Sequence, residues 1–218
     1  MYSESVKIQT VLVPAGAEYQ AVKSGLSRVP NAPELVAIPA GPQGVKTFLE
    51  TRSIREGGVL LMGLGGSLTP ELSVGNGVVI EKIWQAAGEM FACDRTLTTQ
   101  LAERLRIATG IGVTCDRVIT TVAEKKRLGD RYSASVVDME GAVLLKALPE
   151  RAIAILRVIS DDCQDDLPDI AGAIAADGSL RPMYLALSFI KRPLSAIRFI
   201  RGSLKGLKAL ENVAFALF

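Results

Sequence analysis

Apolar residues in this chain fall into short runs divided by turn-forming stretches. Val6 to Val13 alternates and then runs apolar, the pattern of a buried strand, and it stops at the turn signal Pro14-Ala15-Gly16. Glu34 to Pro39 predicts a second strand, Gly41 to Gly44 a turn, and Val45 to Arg52 a helix. Gly57-Gly58 opens Val59 to Met62, a run expected of a strand covered on both faces. This strand is expected to end in Gly63-Leu64-Gly65-Gly66-Ser67. Val74 to Gly77 reads as a loop, and Val78 to Trp84 and Gly112 to Thr121 read as strands. Leu97 to Ala108 has helical spacing, and Glu124 to Arg131 reads as an exposed loop or helix turn. A short strand through Val136-Val137 should lead into a helix over Asp138 to Leu148, capped near Asp138. Arg151 to Ser160 is the last strong strand, and Ile170 to Ala176 and Pro182 to Ile190 read as helices. Strands alternating with helices predict an α/β fold with a mostly parallel sheet.

The last 28 residues differ in character. Residues 191–218 carry six basic residues and one acid, net +5, against −3 for residues 1–190. Arg198, Arg201, Lys205 and Lys208 share one helical face, and Ile197, Ile200, Leu204 and Leu207 form the face beside it. The chain therefore divides into a body, 1–190, and a basic amphipathic C-terminal helix, 191–218. That helix is either part of the same domain or a surface appendage. Its plainer reading is a terminal helix with a basic outer face; the other is contact with a membrane or a lipid substrate through 194–217.

A chain of 218 residues suits one α/β domain, and 49% hydrophobic content supplies a core. A net charge of +2 gives no reason to propose nucleic acid as a partner. The chain has no histidine, which removes a Ser-His-Asp triad and leaves acid–base work to carboxylates, Lys, Tyr or Cys. Cys93, Cys115 and Cys163 are odd in number and unpaired in spacing, so a disulfide framework or zinc site is not expected and a cytoplasmic setting is. No signal peptide or spanning run is visible. The acidic run Asp161 to Asp166 lacks calcium-loop spacing, so no metal is expected.

Candidate chemistry gathers at strand ends. Asp138 and Glu140 follow one apolar run, and Ser160 and Asp161 follow another. Glu18 comes just after the first strand. In an open α/β sheet, ligands bind outside the carboxyl ends of the strands. The plainer readings stay open: a helix cap at Asp138, a solvated acidic loop after Ser160, and a first-turn helix acid at Glu18. Gly65, Gly66 and Ser67 would let backbone approach a ligand, or simply make a tight turn.

Val136-Val137-Asp138-Met139-Glu140-Gly141-Ala142, followed by Arg157-Val158-Ile159-Ser160-Asp161, resembles the nucleoside phosphorylase/nucleosidase superfamily. It is most similar to methylthioadenosine/S-adenosylhomocysteine nucleosidases and to the hopanoid-associated nucleosidases. The resemblance covers residues 6–165. It implies a three-layer α/β/α domain with a mixed, twisted sheet curled towards a barrel. It also implies cleavage of a nucleoside's N-glycosidic bond, no cofactor, and a homo-oligomer. By motif position Asp161 matches the acid that protonates the purine, which burial is expected to favour. Glu140 matches the residue gripping the ribose hydroxyls, with Met139 packed on the sugar, and Glu18 matches the glutamate that activates water. Arg157, Asp138 and Ser160 would orient these groups.

There are departures. No phosphate motif of the G-D-P-x-R kind stands near the first strand, where Glu18 sits instead. Gly63 replaces the family's serine before the double glycine. The aromatic base-binding segment is not recognisable in Thr120 to Ser135. The expected activity is hydrolysis of a 5′-substituted purine nucleoside, methylthioadenosine-like or an adenosyl lipid. The alternatives are a phosphate-dependent phosphorylase and, in another class, a non-catalytic nucleoside-binding module.

Overall fold

The computed structural model describes residues 7–86, 88–168 and 189–218. Its elements run β1 (Ile8–Pro14), α1 (Ala17–Leu26), β2 (Glu34–Ile38), α2 (Pro42–Thr51), β3 (Gly58–Ser67), β4 (Gly77–Gln85), β5 (Met90–Ala92) and α3 (Arg95–Leu105). They continue with β6 (Ala108–Thr114), α4 (Val122–Tyr132), β7 (Val136–Asp138), α5 (Gly141–Ala147), β8 (Ile153–Asp161) and α6 (Pro193–Leu217). The helices expected over Ile170–Ala176 and Pro182–Ile190 lie outside the described residues, apart from a helical turn at 189–191.

The sheet is mixed. β1 pairs in parallel with β2 and β3, and β3 pairs in parallel with β8. β3–β7, β4–β8 and β4–β5 are antiparallel, whereas β4–β6 and β6–β7 are parallel. Strands β3, β7, β6, β4 and β8 thus pair in a closed ring, with β1 and β2 extending one edge. The mostly parallel sheet expected from strand–helix alternation is present, and its three antiparallel pairs make it the mixed sheet that the resemblance implies.

Alternation along the central strands builds the three layers. Leu12, Leu61 and Ile155 face α2 and α5 in one apolar cluster. Val11, Leu60, Met62 and Leu156 face α1, α3 and α6 in another, through Val22, Leu97, Leu101 and Leu210.

Three local expectations are corrected. The glycines after Met62 are not a tight turn: β3 runs through them to Ser67, because β7 and β8 flank it there and supply ladder partners. Glu124 to Arg131 belongs to a complete helix, α4, capped by Thr121, whose Oγ1 accepts from the Glu124 amide at 3.3 Å. α5 begins only at Gly141, with Asp138 the last residue of β7.

α6 packs on the body through Ala196, Gly206, Leu210, Ala214 and Leu217. Small residues allow the close approach: a Cβ at Gly25 of α1 would lie 2.4 Å from Glu211 O and 2.9 Å from Ala214 Cβ. Ile197, Ile200 and Leu204 lie off this face and are 47%, 43% and 62% exposed.

Candidate active site

Four strand ends and two helix starts meet at one edge of the sheet. A cavity of about 300 Å³ there is lined by Glu18, Gly65, Gly66, Asp138, Met139, Glu140, Ser160 and Asp161, with Val118, Ile119, Phe199 and Ser203 completing its wall. Glu18, Glu140 and Asp161, which come from three distant parts of the chain, therefore face one space. A second cavity of about 790 Å³ adjoins it, sharing Ala40, Arg117, Val118 and Met139.

The centre of the polar network is Arg157, fully buried on β8. Its Nε and Nη2 donate to Asp138 Oδ2 at 3.0 and 2.5 Å, and Nη2 also donates to Glu140 Oε2 at 3.0 Å. Asp138 is further tied by Thr114 Oγ1, at 2.6 Å from Oδ1, and by the Gly141 amide, at 3.0 Å from Oδ2. With each oxygen occupied, Asp138 is an anchor for Arg157. Glu140 accepts from the Gly41 amide at 2.9 Å through Oε1. Burial pushes its carboxyl up, opposed by Arg157 and reinforced by Asp138.

Glu18 enters from the first turn of α1. Its Oε1 accepts from the Leu64 amide at 2.5 Å. Burial, and then the nearby Glu140, push its carboxyl up to about 7, against the Leu64 hydrogen bond and Arg157. Arg157 Nη1 is buried and has no hydrogen-bond partner. A Cβ on Gly63 would lie 2.5 Å from this Nη1 and 2.7 Å from Glu18 Oε1. Both groups thus crowd the same point of the strand, and no side chain fits there. At Gly66 a Cβ would stand 2.9 Å from Asp161 Oδ2.

Asp161 closes β8. Its Oδ1 accepts from Ser160 Oγ at 2.7 Å, and its Oδ2 accepts from Lys125 Nζ. An ammonium and a hydroxyl thus meet the two oxygens of this carboxyl. Ser67 does not line the cavity; its hydroxyl donates to Thr69 O at 2.7 Å. The rest of the acidic run is engaged elsewhere. Asp165 pairs with Arg198 at 2.5 Å, and Asp166 accepts from the Val122 amide at 2.8 Å. Among the described residues no three His, Cys, Asp or Glu gather to hold a metal.

Several lining groups were not legible beforehand. Val118 and Ile119 stand just ahead of Thr120 to Ser135 and are aliphatic. Phe199 and Ser203 come from α6, so the C-terminal helix contributes to the cavity wall. Lys125 falls within Glu124 to Arg131, the stretch expected to be exposed. Its spacing with Leu128 and Tyr132, three and seven residues on, placed it on the apolar face of α4.

A family model described as Phosphorylase superfamily matches residues 15–191. The chain belongs to the phosphorylase superfamily. Similar solved structures share its fold at low identity. Helicobacter pylori 5′-methylthioadenosine/S-adenosylhomocysteine nucleosidase, solved with butyl-thio-DADMe-Immucillin-A, is 16% identical over 94% of this chain and 97% of its own, with a TM-score of 0.63. Futalosine hydrolase of the same organism is 16% identical over 93% and 99%, with a TM-score of 0.62. The Streptococcus pneumoniae MTA/SAH nucleosidase, in complex with 8-aminoadenine, is 16% identical over 93% and 100%, with a TM-score of 0.62. No curated protein sequence matches the chain significantly. Within the superfamily this chain has the mixed, ring-closed sheet and the three facing carboxylates just described.

Proposed function

We propose that this superfamily member is a nucleosidase that hydrolyses the N-glycosidic bond of a 5′-substituted purine nucleoside. The observation that carries the reading is the meeting of Glu18, Glu140 and Asp161 on one cavity. Glu140 accepts hydrogen bonds from the ribose hydroxyls while Arg157 and the Gly41 amide fix its carboxylate, and Met139 packs on the sugar. Glu18 takes a proton from a water that attacks the anomeric carbon. The bond to the purine nitrogen breaks with its electron pair on the base, and the Asp161 carboxyl delivers a proton to the ring. The sugar carbon passes through an oxocarbenium-like state, as in glycoside hydrolysis.

A carboxyl pushed up to about 7 suits a base working near neutrality. The buried guanidinium of Arg157 places a positive charge near it that favours its carboxylate form. Two carboxylates at this point favour a neutral nucleophile over a phosphate dianion, which leaves the phosphorylase as the second reading. The 790 Å³ cavity beyond Met139 supports a substituent on the 5′ carbon.

The α6 stripe supports the lipid version of the substrate. Ile197, Ile200 and Leu204 are exposed on the helix that also carries Phe199 and Ser203 into the cavity wall. The four-residue basic face expected to meet headgroups is partly engaged, since Arg198 pairs with Asp165 and Lys208 with Glu211. Among the described residues no helix is long and apolar enough to cross a membrane, so any lipid contact would be peripheral. The cytoplasmic setting and the homo-oligomer belong to the same proposal; sedimentation of the full chain tests the latter.

The test is incubation of the purified chain with methylthioadenosine, S-adenosylhomocysteine and adenosine, with and without phosphate. Free base released without phosphate supports hydrolysis. Strict phosphate dependence favours the phosphorylase, and binding without turnover favours a nucleoside-binding module.

A further inference from the structure

Lys125 is one of the largest fully buried side chains of the protein, and the chemistry above leaves it without a role. It sits on α4 just ahead of two residues that keep their charges in water: Lys126 and Arg127 are exposed. Its side chain instead runs inward, and Nζ donates to Asp161 Oδ2 and to the Asp162 carbonyl. Burying an ammonium is costly, and an apolar residue of similar size commonly does as well for stability. The charge is placed on the one carboxylate that must hand a proton to the leaving base, and Ser160 Oγ holds that carboxylate's other oxygen.

We infer that Lys125 is the proton source for Asp161 during departure of the purine, an inference that rests on the proposed nucleosidase reading. Before reaction the proton resides on Nζ and Asp161 is a carboxylate. As the bond from the anomeric carbon to the purine breaks, its electron pair passes to the base. Oδ2 of Asp161 takes the proton from Nζ, and the carboxyl so formed passes it to the ring nitrogen. Asp161 ends as it began, a carboxylate; Lys125 ends as a neutral amine, and the base leaves uncharged. The water adds its oxygen to the sugar and its proton to Glu18. Return of that proton through solvent to Lys125 resets the site. The Lys125–Asp161 pair goes from neutral to one negative charge as Glu18 goes from carboxylate to acid, so the total charge of the cavity is unchanged.

Lys125 acts through Asp161, so its test must separate proton supply from support of the fold. Two leaving groups do this: adenine, which departs poorly without a proton, and 4-nitrophenolate on the same ribosyl group, which departs without one. Lys125→Met keeps the length of the side chain and removes the proton. Lys125→Arg keeps the charge but does not give its proton up. Wild type should turn over both substrates. Lys125→Met should lose about 10²–10⁴-fold in kcat on the adenine substrate and less than about 10-fold on the nitrophenyl one. Lys125→Arg should show the same split, and it serves alone if the Met variant fails to fold. Equal losses on both leaving groups, or rescue of adenine release by Arg, would overturn the inference in favour of a structural ion pair. Unimpaired variants would overturn it too. A wild type inert on both substrates would instead overturn the nucleosidase reading, and this inference with it.

Discussion

Arg157 Nη2 lies 3.0 Å from Glu140 Oε2, and both side chains are buried. The same guanidinium binds Asp138, so one cation on β8 fixes the carboxylates at the end of β7 and the start of α5. Glu140, in the bend between β7 and α5, is therefore tied to the sheet by a buried ion pair with a strand residue. Removing one member of such a cluster leaves uncompensated charge in the core. Arg157→Leu should cost about 3–5 kcal/mol, read as a lowered midpoint in urea. A change below about 1 kcal/mol would mean the cluster contributes little to folding.

Glu18 should set the acid limb of the rate. Its carboxyl is pushed up to about 7, so kcat/KM should rise with pH and level off above that value. Glu18→Gln should remove the limb and lower kcat by about 10²–10⁴-fold. Stability should move the other way. An acid with a raised carboxyl in the folded state costs nothing while the unfolded chain is also protonated, below about 4.5. The cost grows as pH rises from there and levels off above about 7. Glu18→Gln should therefore stabilise the protein at alkaline pH, by at most about 3 kcal/mol, and flatten the fall of Tm. An acid limb that persists in the Gln variant would assign it to another group.

Gly63→Ala tests the crowding of Glu18 against Arg157. The added methyl would stand 2.5 Å from Nη1 and 2.7 Å from Oε1, and Pro14 Cδ at 3.3 Å blocks a retreat. Turnover should fall at least about 10-fold, because displacements near 1 Å in a reacting constellation are costly. Wild-type kcat in this variant would show that the two groups need not be held together.

The exposed stripe of α6 is tested by flotation of the full chain with anionic vesicles. Truncation is the wrong comparison, because Leu210, Ala214 and Leu217 belong to the core. Ile197→Glu with Leu204→Glu leaves that packing intact. The double variant should lose binding, and salt should weaken the wild type's, since basic residues near such a surface contribute about 1 kcal/mol each and are screened. Equal flotation of both chains, or none with either, would end the lipid reading.

Much of the fold was legible where period and burial agree. Val59 to Met62 and Ile153 to Leu156 are apolar at every position and lie in the central strands, buried on both faces. The misses share a cause: partners distant in sequence. The glycines after Met62 look like a turn, and only pairing with β7 and β8 makes them strand. β5 is three residues long and exists through its antiparallel pairing with β4. The carboxylates were legible because they stand at strand ends within a dense motif. Lys125 was not, because a basic residue in a charged helix looks solvated until Asp161 is brought beneath it. On α6 the apolar stripe was seen, but small residues set which face packs: Gly206 and Ala214 rather than the larger Ile197 and Leu204.

The most direct measurement is the fate of labelled water. Methylthioadenosine is incubated with the protein in phosphate-free buffer made with ¹⁸O water, and the products are weighed by mass spectrometry. Three carboxylates on one cavity, with Glu18 serving a water, should give free adenine and a thioribose carrying one ¹⁸O, quenched early enough to limit exchange at the anomeric carbon. Adenine that appears only when phosphate is added, with a sugar phosphate as its partner, would contradict hydrolysis.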